Sequence, residues 1–68
     1  MPDLPTLLIR EGFALTGRAA EQLIRSGRVR VDGRIVTDPA YVLPPSPGGW
    51  WLLQVGDVDR GRVWAHEY

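Results

Sequence analysis

Hydrophobic and polar positions change their period along this chain. Leu4, Leu7 and Leu8, with Glu11, fall on one face of a repeat of about 3.6 residues. Asp3 stands where an N-cap belongs, and Pro5 is tolerated in a first turn because its missing N–H costs little there. Gly12 supplies the stop. The pattern predicts a short first helix, then a linker whose Phe13 and Leu15 pack into the core. A second helical repeat follows Thr16, which suits an N-cap, and runs from Gly17 to about Ser26 with Gly27 as the left-handed C-terminal residue. Ala20, Leu23, Ile24 and Gly27 form its buried stripe, while Arg18, Gln22 and Arg25 lie at i, i+4 and i+7 on the outward face.

From Arg28 the period drops to about two. Val29 and Val31 point one way, Arg28 and Arg30 the other. Asp32-Gly33 is a hairpin-turn signal, Ile35 and Val36 begin the return strand, and Asp38-Pro39 ends it. Tyr41, Val42 and Leu43 make a short apolar run before Pro44-Pro45-Ser46-Pro47-Gly48-Gly49, a loop that cannot sit in a central strand. Trp50 to Val55 reads as a further strand. Either Gly56-Asp57 or Asp59-Arg60-Gly61 turns the chain, and Arg62 to Ala65 is the antiparallel partner. The expected class is α+β, two short helices packed on a small, mostly antiparallel sheet. The expectation is a single domain over residues 1–68, with its core motif at about 4–56 and a C-terminal hairpin at about 50–66.

Size limits what such a domain can do. A chain of 68 residues buries only about 60% of the surface that its unfolded form exposes. Its core is worth no more than ~3–5 kcal/mol of net stability. That leaves little room for a deep pocket, so a binding module is expected rather than a self-contained enzyme. Cysteine is absent, which excludes disulfides and thiolate metal sites. His66 stands near the terminus with no second histidine or carboxylate set at ligand spacing, so no metal site is expected. No G-x-S-x-G, phosphate loop or His-Cys pair is present, and neither catalysis nor a cofactor is expected. The apolar runs fall far short of the ~20 residues that span a bilayer. The N-terminus lacks the regions of a signal peptide, so the expected compartment is the cytoplasm.

Net charge is zero, but its distribution is uneven. Six arginines between Arg10 and Arg34 face Glu11, Glu21 and Asp32, a local balance of +3, and the remainder of the chain carries −3. A helix and hairpin with arginines on their polar side suit a phosphate backbone. A helix N-terminus offers free N–H groups to phosphate, and guanidinium forks bind it at two points.

The run Arg18-Ala19-Ala20-Glu21-Gln22-Leu23-Ile24-Arg25-Ser26-Gly27-Arg28-Val29-Arg30-Val31-Asp32-Gly33 resembles the RNA-binding domain named after ribosomal protein S4, also called the alpha-L motif. Leu7 to Ala14 is similar to the first helix and turn of that family. Val36-Thr37-Asp38-Pro39-Ala40-Tyr41-Val42-Leu43, with Gly49 and Trp50 to Gly56, looks like the C-terminal appendage of bacterial tyrosyl-tRNA synthetases. The resemblance implies a non-catalytic module that holds structured RNA, tRNA or rRNA. Carried over by position, it implies RNA contacts at Thr16, Arg18, Gln22, Arg25, Arg28 and Arg30, with Arg34 beside them.

The chain departs from that pattern in having no lysine, and in carrying Asp57 and Asp59 where the synthetase appendage usually ends in basic residues. Those carboxylates would weaken RNA contact there. Other readings stand beside the RNA one. Glu21 and Arg25 are spaced for an ordinary helix-surface pair, Arg28 and Arg30 for a plain polar strand face, and Arg10 for a charge ending the first helix. Trp50, Trp51 and Trp64 suit core packing, base stacking or a protein-partner patch at Trp50/Trp51, and one of that adjacent pair must face outward.

Overall fold

The computed structural model describes residues 3–65. Six elements follow one another: α1 (Leu4–Arg10), α2 (Gly17–Arg25), β1 (Val29–Val31), β2 (Arg34–Ile35), β3 (Trp50–Val55) and β4 (Val58–Trp64). The expected α+β class is what forms. The sheet has the order β2-β1-β3-β4, and every pairing in it is antiparallel. His66 lies outside the described residues.

Both helices start where local chemistry places them. The Asp3 carboxylate accepts the Thr6 N–H at 2.8 Å, and the Thr16 hydroxyl oxygen accepts the Ala19 N–H at 3.1 Å. At the far end of α2, Gly27 takes a left-handed conformation, φ 79°, that frees the chain to enter β1. The β1–β2 turn needs positive φ at both central residues, and Asp32 (52°) and Gly33 (83°) supply it. Asp32 also ties this turn to β3. Its carboxylate accepts the Leu52 N–H, and its own N–H donates to the Leu52 carbonyl, both at 2.9 Å.

The two turn signals after β3 have different outcomes. Gly56-Asp57 turns the chain, so β4 begins at Val58 rather than Arg62. Asp59-Arg60-Gly61 is instead a bulge. Pairing steps from Leu53↔Gly61 to Gln54↔Asp59, which leaves Arg60 unmatched, and Gly61 adopts φ 75°.

The core fills the space between the helices and one face of the sheet. Leu4, Leu7, Leu8, Ala20 and Ile24 meet Val29, Val31, Trp51, Leu53, Val55 and Val63 there, with Leu43, just ahead of the proline-rich loop, buried in the same cluster. Leu23 is half-buried, so the buried stripe of α2 is narrower than its sequence suggests. Phe13 packs against the core as expected, but Leu15 does not and is 93% exposed. Ala14 takes the inward place, and the chain, extending into the Thr16 cap, turns Leu15 the other way. Among the described residues, no helix is long and apolar enough to cross a membrane.

Candidate nucleic-acid interface

The arginines divide into two groups. Arg10 pairs with Glu11 at 3.1 Å and donates to the Trp64 carbonyl at 3.2 Å. Arg60 donates to the Glu11 carbonyl at 2.9 Å and sits 4.9 Å from the centre of the Phe13 ring. Arg62 lies 4.6 Å from the centre of the Trp50 ring. These three are committed to the fold. Arg18, Arg25, Arg28, Arg30 and Arg34 are exposed, and among the described residues they make no ion pair, side-chain hydrogen bond or ring contact. The Glu21–Arg25 pair that the spacing allows does not close within 4.0 Å.

Five of the seven expected contact residues lie along one flank of α2. Thr16 caps it, and the Gly17 and Arg18 N–H groups ahead of Ala19 find no acceptor among the described residues. That end of the helix is therefore a positive pole open to an anion. Arg18, Gln22 and Arg25 follow on the exposed face. Arg28, just beyond Gly27, completes a groove of about 360 Å³ that is otherwise lined by Phe13, Ala19, Gln22, Leu23 and Ser26. A second groove of about 540 Å³ shares Leu23 and Arg28 and adds Val55, Gly56, Asp57 and Val58. Asp57 thus stands near Arg28 without forming an ion pair to it, and its charge lowers the local positive potential.

Arg30 and Arg34 go elsewhere. Directly paired residues in a sheet share a face. Arg30 is paired with Ile35 and Gln54, both exposed, on the face that the helices leave open. It lines a separate recess of about 150 Å³ there with Gly33, Leu52, Leu53, Gln54 and Asp59. Arg34 is paired with Val31 and stands at the β2 edge. Among the described residues, no group of three or more His, Cys, Asp or Glu side chains could hold a metal ion.

The S4 domain family model matches residues 4–46 of the chain. The chain belongs to the S4 domain family. Over 43 residues it is 46% identical to small ribosomal subunit protein uS4 of Methanococcus vannielii, covering 63% of this chain and 24% of that protein. It is 45% identical over 42 residues to uS4 of Thermobifida fusca, covering 62% of this chain and 21% of that protein. It is also 37% identical over 60 residues to the tyrosine–tRNA ligase of Moorella thermoacetica, covering 88% of this chain and 14% of the ligase. The chain therefore spans a quarter or less of these relatives' lengths.

All seven expected contact residues fall within the S4 match, whereas β3 and β4 lie beyond it. Those two strands carry the tryptophans. Trp51 is 2% exposed, with its indole N–H donating to the Pro44 carbonyl at 2.8 Å, so a surface patch at Trp50/Trp51 does not form. Strand alternation sends Trp51 into the core and Trp50 to the open face. There Trp50 is paired with Trp64, alongside the exposed Leu52 and Ile35. The adjacency of Trp50 and Trp51 showed that one must turn outward, but the partner of that one depends on the β3–β4 register.

Proposed function

We propose that this S4 domain is a non-catalytic module that holds structured RNA, tRNA or rRNA, along the flank of α2. The carrying observation is the division of the arginines. Five remain uncommitted and exposed; Arg18 stands beside the open N-terminus of α2, and Arg25 and Arg28 lie at and just beyond its other end. The printed names of the relatives, a ribosomal subunit protein and a tRNA ligase, favour the same partner class. In this reading Thr16 and the first turn of α2 receive one phosphate, and Arg18, Gln22 and Arg25 extend the contact about 10 Å along the helix. Arg28 prolongs it past the C-terminus. Duplex RNA is recognised mainly by shape, through phosphates and 2′-hydroxyls, so this surface needs no deep pocket. Arg30 and Arg34 stand outside this contact and meet only an RNA long enough to wrap past the β1–β2 hairpin, not a short stem. The working unit is the whole described domain, because β3 pairs with both β1 and β4.

The test is binding of a labelled tRNA and an rRNA hairpin to the wild type and to a variant with Arg18, Arg25 and Arg28 changed to glutamate. Loss of binding with an unchanged circular dichroism spectrum is expected. Undiminished binding would overturn the proposal. A second reading, a protein-contact module, draws on the exposed Ile35, Leu52 and Trp64 of the open sheet face. It predicts a function indifferent to arginine reversal and sensitive to Leu52→Asp.

A further inference from the structure

We propose that the α2 groove receives a single base extruded from the bound RNA, so that the domain prefers structured RNA with an unpaired nucleotide over an uninterrupted duplex. This deepens the RNA-binding reading above and rests on it. The groove of about 360 Å³ has an apolar side, formed by Phe13, Ala19 and Leu23, and a polar side, formed by Gln22, Ser26 and Arg28. A nucleobase has the same division, with two apolar faces and a hydrogen-bonding edge. A duplex does not, because it offers a protein phosphates and hydroxyls over a broad surface and keeps its bases stacked.

Position and charge select the same occupant. Gln22 lies one turn after Arg18 and one turn before Arg25, and Arg28 belongs to both the groove and the arginine flank. A strand held by those arginines passes the mouth of the groove. No carboxylate lines it among the described residues, so nothing there repels the phosphate attached to an inserted base.

The groove is also built to present its surfaces. The Arg60 guanidinium, held by the Glu11 carbonyl at 2.9 Å, lies against the Phe13 ring and fixes it. The exposed Gln22 amide has no partner among the described residues and can both donate and accept. Ser26 donates its hydroxyl proton to the Leu23 carbonyl at 2.6 Å, which leaves its oxygen as an acceptor.

The experiment uses the full chain and two labelled RNA hairpins of identical stem, one uninterrupted and one with a single bulged adenosine. Fluorescence anisotropy at about 50 mM salt gives both dissociation constants, where phosphate contacts are strong. The bulged hairpin should bind at least about tenfold tighter, the effect of one base–aromatic stack. Ala19→Phe fills the groove without replacing an arginine and should abolish the preference for the bulged hairpin. Gln22→Ala, at an exposed site outside the core, should reduce the preference at least threefold even if Ala19→Phe fails to fold. Equal binding of the two hairpins by the wild type, or a preference unchanged by these variants, would overturn the inference and leave the RNA-binding reading standing. Failure of both hairpins to bind at low salt would overturn both.

Discussion

The salt dependence of RNA binding separates the two arginine surfaces. Each phosphate neutralised on a B-form duplex adds about 0.9 to the slope of log affinity against log salt. If the α2 flank alone engages RNA, through Arg18, Arg25 and Arg28, the slope is about 2.7, and affinity falls ~40-fold between 50 and 200 mM salt. If Arg30 and Arg34 join them, the slope is about 4.5 and the fall is ~500-fold. The sheet register favours the smaller figure. Arg30 shares the open face with Ile35 and Gln54, and Arg34 stands at the β2 edge.

Anisotropy titrations of a labelled hairpin at four salt concentrations measure this slope directly. Arg18→Ala, Arg25→Ala and Arg28→Ala should each lower it by about 0.9, while Arg30→Ala should leave it nearly unchanged. Arg62→Ala is the control, because that side chain already lies on the Trp50 ring. It should not change the slope. A wild-type slope below about 1 would refute phosphate binding by this flank. Equal losses from Arg30→Ala and Arg18→Ala would refute the division into two surfaces.

Three further outcomes depend on the core, a helix cap and the charge beside Arg28. Ile24 is fully buried, and Ile24→Ala should cost about 2–5 kcal/mol against a net stability of ~3–5 kcal/mol. The variant should be largely unfolded by circular dichroism at room temperature, and a melting temperature within a few degrees of wild type would contradict the packing. Hydrogen bonds from the Thr6 side chain and backbone N–H hold the Asp3 carboxyl below the ordinary carboxylate range. A lowered folded-state pKa adds stability that is present above the unfolded value and is lost as pH falls through the folded one. The stability advantage of wild type over Asp3→Asn should therefore be largest above about pH 4 and shrink as pH falls below it, with the variant less pH-dependent. Asp57→Asn removes the carboxylate near Arg28 and should tighten RNA binding by about threefold at low salt, an advantage that screening erases as salt rises. Unchanged affinity at low salt would place the RNA away from that groove.

What was legible in the sequence was local. Asp3 and Thr16 cap helices by contacts within three residues, and α2 was expected from Gly17 to about Ser26 and runs Gly17–Arg25. Trp50 to Val55 forms β3 as its alternation suggests. The S4 resemblance likewise rested on a continuous run of residues. What was not legible depends on residues far apart in the chain. Asp59-Arg60-Gly61 could turn the chain or bulge a strand, and pairing with β3 decides for the bulge. Leu15 has the composition of a core residue, but its inward place belongs to Ala14. Arg28 and Arg30 share a phase in the sequence and line different cavities, because the end of α2 reaches one and β3 flanks the other.

A net charge of zero argues against a nucleic-acid surface only if opposite charges are interspersed. Here they have different structural work. Asp3 caps α1, Asp32 ties the first hairpin to β3, and Asp38, in a loop, and Asp59, in the β4 bulge, each accept the N–H two residues ahead. Glu11 holds Arg10 and Arg60. Hydrogen bonds and ion pairs within the fold fix those carboxylates in place. No comparable partner fixes Arg18, Arg25 or Arg28 among the described residues. Within the Debye length of about 8–10 Å at moderate salt, an approaching phosphate responds to that local excess rather than to the total. Of the carboxylates, Asp57 lines a groove with Arg28, so its removal tests whether local excess or net charge governs affinity. Arg62→Ala changes the net charge by the same one unit in the opposite direction, yet acts on an arginine committed to Trp50. If net charge governs, the two substitutions shift RNA affinity equally and oppositely; if local excess governs, only Asp57→Asn shifts it.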